Sequence, residues 1–344
     1  MLHSLTGISP LYKSILIPME NNGNTKKKVI KTIIKILITG IALWFVFHII
    51  DFKQFVSQLK EVKPAYFILA FFAFNISKIV SSVRLQRFYR CIGLNLSQLY
   101  NLRLYYVGMF YNLFLPGSIG GDGYKVYLLK GQSESKVKDL ISATLMDRIS
   151  GVSILLSFSC LMLAGILPDL FPDYRLISIP FSIISSMVIT AIYYLFLKFL
   201  LPSFLDGFIY TTWLSFIVQL GQIITAFLLL LSLNVAAHYW EYLFLFMLSS
   251  VAAVLPFTIG GVGSREFVFL LGFRFLPIDK NLSIAFTMLF FMVLAFSALI
   301  GIFFSFTIDK AVIYNDVEHS PDTDFLDKAP EVRTLQVLDK ESIT

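Results

Sequence analysis

Charge is what this sequence has least of. Asp, Glu, Lys and Arg make up 15% of its 344 residues, against about a quarter in a soluble globular domain. That scarcity excludes a water-facing surface over most of the chain. Cysteine is scarce as well: Cys91 lies in a basic stretch and Cys160 inside an apolar run. Residues at such different depths make a poor disulfide, and two thiols without ligand spacing make no metal site. The four histidines (His3, His48, His238 and His319) are scattered and equally lack metal spacing. No metal and no other cofactor is expected. The glycine clusters end in no Gly-Lys-Ser/Thr, and GxGxxG is missing, which argues against a nucleotide-phosphate loop.

Apolar residues dominate what is present, at 57% with a mean hydropathy of +0.76. The 35 Phe and 16 Tyr suit lipid-facing and interfacial surfaces. The net charge of +6 comes from bases between apolar runs rather than from one patch. Cytoplasmic loops explain them better than nucleic acid does.

Six runs approach the ~20 residues a crossing needs: Ile33–Ile50, Ala65–Val83, Ile149–Leu167, Leu176–Leu197, Thr211–Leu233 and Leu282–Ile308. Lys26, Lys27, Lys28, Lys31 and Lys35 place the start of the first on the cytoplasmic side. Arg84, Arg87 and Arg90 read as the cytoplasmic exit of the second. PDLFPDYR makes a short external turn between the third and fourth. Six crossings leave both termini inside a bacterial or archaeal cytoplasmic membrane. Residues 1–18 are too broken by polar residues and prolines for a signal peptide, and Met19 opens a natural polar, then basic, start. Residues 1–28 are thus expected to form a cytoplasmic segment and 29–308 a membrane domain. Residues 309–344, acidic and carrying Pro321 and Pro330, are expected to be a disordered cytoplasmic tail.

Two apolar pieces do not fit as crossings. LPGSIGGDGYK at 115–125 and LPFTIGGVGSR at 255–265 repeat each other at an offset of 140. Pro116 matches Pro256, Gly120 and Gly121 match Gly260 and Gly261, and Lys125 matches Arg265. Pro removes a backbone donor and Gly loosens the chain, so neither piece continues as a straight helix. Broken backbone at membrane depth is tolerated only where protein or a watery cavity satisfies it. Each piece therefore reads as a re-entrant helix hairpin, the first following two crossings and the second following five. They enter from opposite faces. The expected fold is an all-α polytopic membrane protein, with about six full transmembrane helices and two re-entrant hairpins in an inverted repeat. Transporters built this way hold substrate near the midplane on discontinuous helices.

The stretch YNLFLPGSIGGDGYKVYLLK, the later LPFTIGGVGSRE and MDRISG at 146–151 resemble signatures of a known family. This is the flippase-like membrane domain of lysylphosphatidylglycerol synthetases, which includes stand-alone members. The resemblance covers roughly 30–308 and implies movement of an aminoacylated lipid between leaflets, or a part in polyprenyl-phosphate or glycolipid pathways. The ~36 residues after the last span are too few for the soluble aminoacyl-transfer domain of the full-length synthetases. The implication is the translocating half alone, with no enzymatic activity.

The candidate substrate-binding set is Asn112, Pro116, Gly120, Gly121, Asp122, Lys125, Arg148, Pro256, Gly260, Gly261, Arg265 and Glu266. Lys125 has a second reading as an ordinary loop charge. Arg148, at the start of a long uncharged run, either snorkels or holds a lipid phosphate in its planar fork. The glycines serve close packing or a hinge, and equally open the amides after each break to an anion. Asn112, Gln219 and Gln222 suit interhelical hydrogen bonds. Adjacent Arg265 and Glu266 point apart on a helix and do not pair with each other.

No catalytic constellation emerges, although Asp122 has a weak reading as a base and Asp169 and Asp173 flank the external turn. The leading expectation is a translocase for membrane lipids with an anionic or phosphate-bearing headgroup. The alternative is an accessory or scaffold subunit of envelope glycolipid or polyprenyl-phosphate sugar synthesis, partnered by an envelope-biosynthesis enzyme.

Overall fold

The computed structural model describes residues 62–114, 120–254 and 264–308. The expected first crossing, the 1–28 segment, the 309–344 tail and the Leu-Pro breaks at 115–119 and 255–263 lie outside them. Among the described residues the chain is all helix: α1 (Pro64–Cys91), α2 (Gln98–Phe114), α3 (Gly120–Lys130), α4 (Val137–Leu170), α5 (Arg175–Leu200), α6 (Phe208–Ser232), α7 (Tyr239–Val254), α8 (Ser264–Gly272) and α9 (Lys280–Thr307). In lipid no water satisfies the backbone, so each apolar run must close its own hydrogen bonds. Five helical segments are long and apolar enough to cross, built on α1, α4, α5, α6 and α9. They coincide with five of the six runs read from the sequence, and the chain is a multi-pass membrane protein. α5 shows the lipid-facing character most plainly, with Leu176, Ile177, Ile179, Phe181, Ile184 and Met187 all exposed.

Local chemistry sets the helix ends. Pro64 stands at the first turn of α1, where its missing N–H costs nothing. Gly93 ends that helix with φ +76°, a left-handed residue that lets Leu94 N–H donate to the Tyr89 carbonyl at 3.0 Å. Asp279 caps α9 by accepting from Leu282 N–H at 2.8 Å.

The short helices are the unusual part. At ~1.5 Å per residue, α3 covers about 17 Å and α8 about 14 Å, roughly half of an ~30 Å hydrocarbon layer. Each folds back antiparallel on its predecessor. Tyr100 donates to Gln132 near the base of the first pair, and Gly121 N–H donates to Asn112 Oδ1 near its tip. In the second pair Tyr242 lies against Phe269 and Arg265 reaches Ser250.

The two hairpins enter from opposite ends of the bundle. The first packs its base into a core with Leu85 and Phe88 late in α1 and with Leu140 and Ala143 early in α4. The second packs with Ala70 early in α1 and with Met162 and Ile166 late in α4. Trp240 ties that base down by donating its indole N–H to the Met162 carbonyl at 2.9 Å, over Gly165.

Two expectations need correction. Arg84 does not mark a loop: it lies inside α1, 5% exposed. The third span does not begin at Ile149 either, because α4 starts at Val137 and carries Asp147 and Arg148 inside it. Both misreadings come from treating charge as a boundary, whereas the packed bundle supplies each with a partner.

Candidate functional site

Both hairpins line one cavity of about 300 Å³ between α1, α2, α3, α4, α6, α7, α8 and α9. Asn112, Asp122 and Lys125 line it from the first hairpin, and Ser250 and Arg265 from the second. Lys78 and Arg84 enter from α1, Asp147 and Arg148 from α4, and Gln219 and Gln222 from α6. Five bases thus face two carboxylates, and neither break segment adds a charged residue.

Helix geometry dictates which charges meet. Asp122 and Lys125 lie three residues apart on α3 and share a face, so Lys125 Nζ donates to Asp122 Oδ1 at 2.9 Å. Asp122 also sits in the first turn of α3, where the helix dipole favours a carboxylate. Asp147 and Arg148 are neighbours on α4 and diverge by about 100°. Arg148 Nε turns to Asp122 Oδ2 on α3, while Asp147 Oδ1 accepts from Arg84 Nε on α1 at 2.7 Å. One dipeptide therefore clasps both the first hairpin and the first described span. Arg84 Nη1 also donates to Ser215 Oγ at 2.9 Å.

The second hairpin is built differently. Where α3 carries Asp122, the repeat has Val262, so Arg265 has no counterpart of the Asp122 carboxylate. Arg265 Nη1 donates to Ser250 Oγ at 2.9 Å, and its guanidinium lies 4.6 Å from the Phe290 ring centroid. Lys78 lies 4.5 Å over the Phe74 ring. Among the described residues, no carboxylate stands within salt-bridge distance of either base.

Asn112, Asp122, Lys125, Arg148 and Arg265 come together as the sequence suggested. Gly120 and Gly121 begin α3 beside them, whereas Glu266 is not among the lining residues. Pro116, Pro256, Gly260 and Gly261 lie outside the described residues. The reading of open amides needs correction at Gly121, whose N–H is already taken by Asn112. Its closeness has a packing cause: a Cβ there would lie 1.9 Å from the Gly108 carbonyl oxygen. Gln222 donates to Ser77 Oγ and Gln219 to the Gly151 carbonyl, the interhelical bonds expected of them.

Sequence reasoning missed Lys78, Arg84 and Asp147 as cavity residues. A lone lysine amid the apolar run of α1 was the available signal, since charge at membrane depth tends to face a cavity or a partner.

A family model described as the lysylphosphatidylglycerol synthase TM region matches residues 32–301. No curated protein matches the chain.

Proposed function

The chain belongs to the lysylphosphatidylglycerol synthase TM region family, and from that premise we propose that it is a lipid translocase. It passes a phosphate-bearing headgroup between leaflets through the cavity that the two hairpins line. One observation carries the reading: two broken helix pairs, entering from opposite ends, bring basic side chains to one shared cavity. A headgroup arriving from either leaflet then meets the same charges, and closure of one hairpin against it seals that side. A scaffold subunit has no use for two opposed half-sites. In this reading the protein resides in the cytoplasmic membrane of a bacterium or archaeon with both termini inside, and it performs no bond chemistry.

The cavity size bears on what crosses. About 300 Å³ lies at the lower end of the ~300–1,000 Å³ of small-molecule sites. It suits a headgroup, with the tails remaining in the bilayer. The test is purified protein in liposomes with fluorescent lipid analogues of several headgroup classes. Dithionite accessibility should show headgroup-selective movement; rates equal to those of empty liposomes for every class would sink the proposal.

A further inference from the structure

The cavity charges fall into two groups once the ion pairs are assigned. Asp147 pairs with Arg84, and Asp122 is shared by Lys125 and Arg148. Those two carboxylates tie the three bases to the packing of α1, α3 and α4. Lys78 and Arg265 remain, and aromatic rings hold them in place. Lys78 lies on Phe74 and Arg265 on Phe290, and those two rings meet edge to face at 5.8 Å. Phe246 backs the same wall, 4.8 Å from Phe290 and 5.6 Å from Arg265. A ring face attracts a cation without neutralising it, so these two charges stay turned to the cavity, beside the one left over where Lys125 and Arg148 share Asp122.

Charge of that kind at membrane depth calls for a counter-charge. We propose that Lys78 and Arg265, standing on one aromatic wall, grip a lipid headgroup that ends in a phosphate monoester. This rests on the translocase reading and names its substrate class. A phosphate monoester carries about −1.5 to −2 at pH 7 on three terminal oxygens, close to the charge of the two bases. The planar fork of Arg265, fixed by its bond to Ser250, offers paired donors to two of those oxygens. Lys78 supplies a point charge from the facing span. A phosphodiester brings one negative charge and leaves one base uncompensated. An aminoacylated headgroup is worse matched, because its ammonium is repelled by these same two bases.

The test uses the full chain in phosphatidylcholine nanodiscs, with binding measured calorimetrically for four probes. These are dodecyl phosphate, short-chain phosphatidylglycerol, lysylphosphatidylglycerol and inorganic phosphate. Dodecyl phosphate is expected to bind at least about 10-fold more tightly than either phosphatidylglycerol or its lysyl ester. Inorganic phosphate, with the same charge and no tail, is expected to be weaker than dodecyl phosphate. K78M and R265M should each weaken dodecyl phosphate about 10- to 100-fold, the range for losing a charge-assisted bond. R265K, which keeps charge and loses the fork, should fall between R265M and wild type. Should a neutral variant fail to fold, the order of the four probes on the wild-type chain still decides.

Equal binding of monoester, diester and lysyl ester overturns the inference. Inorganic phosphate binding as tightly as dodecyl phosphate overturns it too, by making the ligand a free anion. Lipid movement in liposomes separates the two readings. A chain that moves phosphatidylglycerol analogues and binds dodecyl phosphate no better overturns only this inference. A chain that moves no lipid overturns the translocase reading.

Discussion

Arg148 donates its Nε to Asp122 Oδ2, and the carboxylate that receives it also receives Lys125. A short hairpin helix is thereby pinned to a full span by one carboxylate between two bases. If the hairpin moves during transport, this clasp is what must open.

Asp122→Asn should therefore lower stability and slow lipid movement together. Removing one member of a buried ion pair costs ~3–5 kcal/mol. Arg148 is partly exposed here, so the lower end of that range is expected. Size-exclusion thermostability in detergent reads the first effect and liposome assays the second. An unchanged melting midpoint would show that the clasp contributes nothing to the fold.

Arg84 and Asp147 should behave as a unit. Either single change, Arg84→Met or Asp147→Leu, leaves its partner charged in a buried site. The double variant leaves none and should recover ~1–3 kcal/mol of coupling in a double-mutant cycle. Additive losses would contradict the pairing.

The glycines of the first motif should differ sharply from one another. Gly121→Ala puts a methyl group 1.9 Å from the Gly108 carbonyl oxygen, a backbone atom that cannot swing aside, while Gly123→Ala meets nothing within 4 Å. Gly121→Ala should cost about 1–3 kcal/mol, as overpacking does, and Gly123→Ala little beyond local propensity. Melting midpoints of the two variants give the comparison. Equal losses would rule out close hairpin packing as the reason for glycine.

The opposed hairpins make a topological prediction. In a chain whose Cys91 and Cys160 have been replaced, a cysteine at Ser133 should react with impermeant maleimide only from the cytoplasm. One at Pro172, at the far end of α4, should react only from outside. Labelling of both from one side would break the inverted arrangement.

By itself the sequence determined what rests on neighbours along the chain. Helix propensity and hydropathy over ~20 residues are local sums, so five apolar runs fell on the helices that can cross, although α4 already begins at Val137 and α1 runs on to Cys91. Both breaks were legible for the same reason, because Pro and Gly act on their own backbone whatever surrounds them. The Lys125–Arg265 correspondence followed from simple repetition. Tertiary structure decided which charges had partners. Arg84 and Asp147 are 63 residues apart, and nothing in either local stretch says that one neutralises the other. Arg84 consequently looked like a loop residue. Only packing of α1 against α9 brings Phe74 to Phe290 and so sets Lys78 and Arg265 on one wall. The physical reason is the range of each effect. Backbone preference is fixed within a few bonds, whereas the cost of a charge in a membrane depends on what the folded chain puts within ~4 Å of it.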